Sequence, residues 1–105
     1  MISQVKIKLV TEQFMGDFYF SSLYTPKELA RKLMNSSAYR EVCEYFAQGE
    51  GEQLAEHAFD LTNNPSMQAQ RELTYGRHRS VSVGDIVEVN GVPYLCESQG
   101  WTSLA

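Results

Sequence analysis

Long apolar runs are missing from this chain of 105 residues, and none approaches the roughly 20 consecutive residues that a helix needs to span a bilayer. No membrane partner is therefore expected. Residues 1–10 alternate polar and apolar side chains and lack the continuous apolar segment of a secretory signal, so the expected location is the cytoplasm. Cysteine is scarce as well: Cys43 and Cys96 are the only two, and neither has a second cysteine at ligand or redox spacing. That excludes a zinc ribbon and a CxxC redox motif; both thiols read as small reduced hydrophobes, and no metal or cofactor is expected. Cationic charge is also short. Nine Lys and Arg stand against thirteen Asp and Glu, a formal net charge of −4, whereas a duplex-binding domain carries a clear basic footprint.

What is present is an ordinary globular composition, 43% hydrophobic and 21% charged, in a chain of single-domain length. Folding at this size buries roughly 60–70% of the chain's surface, enough for one core. Val5, Ile7 and Leu9 alternate with Lys6 and Lys8, the pattern of a strand with one wet face. Phe18, Tyr19 and Phe20, reached through Gly16 and Asp17, read as a second short strand. Thr25, Pro26 and Glu28 form a capping box, which starts a helix over 26–34 with Leu29, Ala30, Leu33 and Met34 on its apolar side.

Ser36 or Ser37 then caps a second expected helix with a stripe of Tyr39, Val42, Cys43 and Phe46. A third, over 52–61, buries Leu54, Ala55, Ala58 and Phe59, and Asn63, Asn64 and Pro65 close the helical region. Residues 66–76 have no clear period and read as a loop.

Turn chemistry concentrates in residues 79–101, RSVSVGDIVEVNGVPYLCESQGW. Asn90 and Gly91 are the favoured pair for a two-residue hairpin turn. In that register Val89 faces Val92, Glu88 faces Pro93, Val87 faces Tyr94 and Ile86 faces Leu95. Pro93 then marks an edge, or the end of any further pairing, on its other side. Ser98, Gln99 and Gly100 read as a three-residue loop returning 101–104 as a last strand. Val87, Val89, Val92 and Tyr94 share one face of this meander, and Ile86, Leu95 and Trp101 the other. The expected fold class is α+β: a small antiparallel sheet with a C-terminal three-stranded meander, packed against about three short helices. Helices would cover one face and loops or a partner part of the other. The whole is one domain, with an N-terminal strand and helical part over about 1–65 and the meander part over about 66–105.

That string, preceded by FDLTNNP, resembles the YodL-like domain over the last 45 or so residues. On the family pattern Asn64 and Pro65 form the upstream element. Arg79, Ser80, Ser82, Val83, Asp85 and Val87 form the central motif, and Tyr94, Gly100 and Trp101 the close. Gly84 replaces the commoner serine, and any chemistry of that serine is excluded here. YodL-like domains occur alone or within large polyvalent proteins of phages, plasmids and conjugative elements, and no activity is established for them. The resemblance therefore implies a small mobile-element accessory protein.

Charge distribution suggests what such a protein contacts. Residues 41–70 hold six carboxylates, among them Glu41, Glu44, Glu52, Glu56 and Asp60, and no Lys or Arg. Glu52, Glu56 and Asp60 are four apart and stack along one helix face, where they can steer a basic partner or simply face water. Small acidic proteins of phages and plasmids occupy nucleic-acid sites on host defence complexes. The expected function is accordingly non-enzymatic: binding and inhibiting or modulating a host or mobile-element complex that handles nucleic acid, through the acidic face with Trp101 as an aromatic anchor. Trp101 equally fits a core-sealing role. An isologous dimer through the sheet and a monomer are both open.

The alternative is a nucleic-acid-binding module. Arg71, Arg77, His78 and Arg79 form a small basic cluster, and the Val-Gly-Asp-Ile-Val strand start is similar to the PUA and ASCH class of RNA-associated barrels. Arg79, Ser80 and Ser82 can contact phosphate. They can also be structural, with Ser82 and Asp85 organising the turn, Arg79 paired to Asp85, and Gly84 at positive φ. Cys43 with His57, or Ser80 with His78, can be written as nucleophile and base, but neither pair has an evident third group to orient it.

Overall fold

A computed structural model describes residues 1–20 and 23–105 of the chain. Strand β1 (Ile2–Val10) is followed by helices α1 (Glu12–Phe20) and α2 (Pro26–Leu33), strand β2 (Tyr39–Gln48) and helix α3 (Glu52–Asn63). A 3-10 turn (Pro65–Met67) leads into helix α4 (Gln68–Thr74), and strands β3 (Ile86–Val89), β4 (Val92–Glu97) and β5 (Gly100–Ser103) end the chain. The five strands form one antiparallel sheet in the order β2-β1-β3-β4-β5. The fold is α+β, with the C-terminal meander as expected.

The alternation of β1 puts Val5, Ile7 and Leu9 under α3, together with Cys43, Val87, Val89 and Cys96. From the helix side come Leu54, Ala55 and Ala58. Lys6 and Lys8 lie on the other face, where Lys8 pairs with Glu88 and Lys6 lies 3.9 Å from Glu41. The second face is not left to loops. Phe18 of α1 and Leu29 and Ala30 of α2 cover Val10, Tyr39, Ile86, Leu95 and Leu104 there. Helices thus flank the sheet on both sides.

The capping box at Thr25 forms as read: its hydroxyl accepts from the Glu28 N–H and the Glu28 carboxylate accepts from the Thr25 N–H. The hairpin register also matches, from Ile86 opposite Leu95 to Val89 opposite Val92. Asn90 stands at φ 49° and Gly91 at φ 82°, the left-handed geometry of the turn. Pro93 ends the ladder to β5: Tyr94 is the last residue paired, and the Pro93 carbonyl accepts from Leu104 N–H at 2.9 Å.

Four expectations are corrected. Residues 18–20 are not a strand but the last turn of α1, with Phe14, Met15 and Phe18 turned to the second core. Residues 39–48 are not a helix but the strand beside β1. A bulge explains the misreading: the register shifts after Ile7–Cys43, leaving Val42 without an opposite residue. The extra residue breaks the period of two: Tyr39 and Cys43, four apart, pack on opposite faces of the sheet, and the apolar residues at 39, 42, 43 and 46 imitate a helical stripe instead of a strand alternation. Residues 68–74, read as loop, are helix α4, which buries none of its own side chains and so shows no apolar period. Finally, the last turn is tighter than read: Glu97 pairs with Gly100 and Cys96 with Trp101. That one-residue shift carries Trp101 to the face of Val87, Val89 and Tyr94, away from Ile86 and Leu95.

Candidate functional site

The segment 79–85 is a clamp built around one buried carboxylate. Asp85 is wholly buried, and its two oxygens accept from both terminal nitrogens of Arg79 at 2.6 and 2.7 Å. They also accept from the backbone N–H groups of Val10 and Ser82, each at 2.8 Å. Arg79 in turn donates to the Val10 carbonyl at 2.7 Å, so the pair ties the end of β1 to the start of β3. Asp85 N–H donates to Ser82 O at 3.0 Å, closing a turn whose third residue, Gly84, has φ 95°. A Cβ there would lie 2.9 Å from the Phe18 ring, so side chains are excluded sterically as well as conformationally.

Ser80 has its own structural partners: its hydroxyl donates to Thr62 O at 2.7 Å and accepts from Arg71 at 3.1 Å. Arg71 also bonds the carbonyls of Thr62 and His78, and Tyr75 hydroxyl donates to Arg79 O. Burial pushes the Tyr75 hydroxyl up to about 12, with the Asp85 charge adding and Arg79 and Arg71 opposing. Of the four residues in the expected basic cluster, Arg71 and Arg79 are therefore engaged inside the protein. Arg77 is exposed and His78 half-buried, its ring edge-on to Tyr75. The sequence did not show that Arg40 joins them. It reaches the same place from β2, opposite Leu9, and lines a cleft of about 500 Å³ with Arg77, His78, Arg79, Thr11 and Glu12.

The acidic block divides. Glu41 and Glu44 stand on β2 opposite Lys8 and Lys6, on the sheet face turned away from α3. Glu41 has its lysine, and Glu44 accepts from the Gln4 amide at 3.0 Å. Glu52, Glu56 and Asp60 remain together, exposed along α3. Trp101 joins this group: its indole N–H donates to the Glu56 carboxylate at 2.9 Å. The ring is half-buried against the core beneath, so it serves as both seal and surface. Glu97 lines the same depression as Glu56, Phe59 and Trp101, a fourth carboxylate that no spacing in the sequence had linked to α3.

The residues written as nucleophile and base turn to other partners. Cys43 thiol donates to Thr74 O at 3.4 Å, and His57 Nδ1 lies 2.9 Å from the Tyr45 hydroxyl. Burial, seconded by Glu41, raises the Cys43 thiol; burial with Asp85, Glu56 and Glu97 pushes Cys96 up to about 12. Both are protonated at neutral pH and poor nucleophiles. Among the described residues, no group of three or more His, Cys, Asp or Glu is arranged to hold a metal, and no helix is long and apolar enough to cross a membrane. No family model, curated protein or solved structure matches the chain.

Proposed function

We propose that this chain is a non-enzymatic binding protein whose contact surface is the outer face of α3 with Trp101 at its edge. One observation carries the reading. Glu52, Glu56 and Asp60 lie exposed along one face of α3 with no cationic partner among the described residues and with the Trp101 ring at their edge. Like charges four apart on a helix cost a few tenths of a kcal/mol per pair, and nothing in the core requires them. They are better placed to meet a basic surface, whose approach they accelerate. Trp101, held by Glu56 within this stripe, supplies a rigid apolar anchor of the kind that dominates interfaces.

The partner this surface suits is a protein complex with a basic, nucleic-acid-binding face, which the chain would occupy and so inhibit or modulate. The resemblance of residues 79–101 to YodL-like domains supports a phage- or plasmid-borne protein acting on a host complex. The test is affinity capture from host lysate after nuclease treatment, with the wild type beside a Glu52→Lys, Glu56→Lys, Asp60→Lys variant. A defined complex retained by the wild type and lost by the folded variant supports the reading. Equal capture by both removes the acidic face from it.

A further inference from the structure

We propose that the cleft between the β1–α1 junction and residues 77–79 binds a phosphate monoester of nucleotide size. The site is separate from the α3 face and does not rest on the function proposed above. Three observations converge on it. Arg40 and Arg77 come from distant parts of the chain and meet at one opening, and neither has an ion-pair or hydrogen-bond partner among the described residues. In a protein with net charge −4, two guanidiniums without such partners at one opening concentrate positive charge there, and that field favours an anion. A third contribution is the start of α1, a nine-residue helix whose first residue, Glu12, borders the cleft and brings the positive end of the helix dipole to it.

Size and charge define the ligand. A volume of about 500 Å³ falls within the range of small-molecule sites and exceeds what a bare phosphate fills. Guanidinium planes take phosphate oxygens two at a time and also stack on flat rings, which suits a phosphate joined to a nucleobase. Arg79 also lines the cleft, but its charge is matched by Asp85, and Glu12 opposes part of what Arg40 and Arg77 supply. The remaining positive charge fits one phosphate group and is too small for an extended polyanion. His78 completes the wall, held in place by its edge contact with Tyr75.

The experiment is a titration of the full chain with adenosine monophosphate, followed by amide NMR shifts, with adenosine and inorganic phosphate as comparison probes. Expected is a saturable shift of Thr11, Glu12, Arg77 and His78 amides, with the nucleotide binding more tightly than phosphate and adenosine not binding. Arg40→Ala and Arg77→Ala should each weaken binding about tenfold, since each removes charge-assisted hydrogen bonds. Both side chains are exposed and without partners among the described residues, so these variants should fold, and Lys27→Ala serves as a charge-matched control. The proposal is overturned if no saturable shift occurs up to about 10 mM nucleotide, a limit that corresponds to only a few kcal/mol of binding. It is equally overturned if Lys27→Ala weakens binding as much as the cleft variants, or if phosphate binds as tightly as the nucleotide.

Discussion

Replacing Asp85 with asparagine tests the clamp directly. The substitution keeps the shape but removes the charge and turns one acceptor into a donor. Four donors converge on the native carboxylate: two guanidinium nitrogens and the N–H groups of Val10 and Ser82. An amide oxygen can still serve Val10, but then Ser82 N–H faces an NH₂ group and loses its acceptor. A buried donor left unpaired costs about 1–3 kcal/mol, and breaking a buried ion pair from one side costs about 3–5 kcal/mol. The Arg79 side chain keeps 31% exposure while Asp85 has none, so water recovers part of the arginine's loss. The expected destabilisation is therefore about 3–4 kcal/mol, out of roughly 5–15 kcal/mol for a domain of this kind.

Urea unfolding followed by fluorescence of the one tryptophan, Trp101, reads this out. With a slope of about 1.5 kcal/mol/M, the midpoint should fall by about 2–3 M. Should Asp85→Asn prove unfolded in buffer, Arg79→Lys provides a milder probe: it keeps the charge but not the two-pronged geometry and should cost about 1–2 kcal/mol. A loss below about 0.5 kcal/mol for Asp85→Asn would refute the argument, since surface substitutions commonly stay within that range.

Two further measurements bear on the same region. Gly84→Ala should lower stability by about 2–4 kcal/mol in the same urea assay, because it combines φ 95° with a Cβ 2.9 Å from Phe18; a neutral effect would mean the turn relaxes freely. Under reducing conditions, stability should hold up to about pH 9 and then fall, because Cys96 and Tyr75 lose their protons in the unfolded chain near 9 and 10 but only near 12 when folded. Each contributes a slope of about 1.4 kcal/mol per pH unit in its window, and Cys96→Ala should reduce the slope between about pH 9 and 10, leaving the part that the raised Cys43 thiol contributes. A wild-type curve flat to pH 11 would contradict it.

The hairpin was legible in the sequence because Asn90 and Gly91 admit one turn and a period of two then assigns every pair. What the spacing did not disclose is that the Asn90 side chain also accepts from Gln4 N–H and donates to Ser3, which fastens the turn to β1. The pairing of Arg79 with Asp85 was legible too, being local. Strand β2 was hidden by its bulge, and α4 by having no buried face, since it is held instead through Arg71 and the adjoining Tyr75. One residue of loop length decides which face Trp101 takes, and spacing alone does not fix that length. Arg40 could not be joined to Arg77 from sequence, because only the long connection between β1 and β2, followed by return over α3, brings them together.

These placements give the clamp a role beyond its own turn. The backbone of Asp85 continues into the pairing with Cys96, whose carbonyl accepts from Gly84 N–H at 2.9 Å and whose N–H donates to Asp85 O at the same distance. Cys96 faces Trp101, and Trp101 reaches Glu56, so the acidic surface is registered against the sheet through Asp85. On the other side, Arg79 fixes the short segment that carries Arg77 and His78 to the cleft. Neither proposed contact surface includes Asp85, yet both depend on its position. It follows that Asp85→Asn should weaken binding at the α3 face and at the cleft together, in proportion to the structure it loosens, whereas Arg77→Ala should affect the cleft alone and Glu56→Lys the α3 face alone. Independent loss at only one surface in Asp85→Asn would show that the clamp holds one of them and not the other.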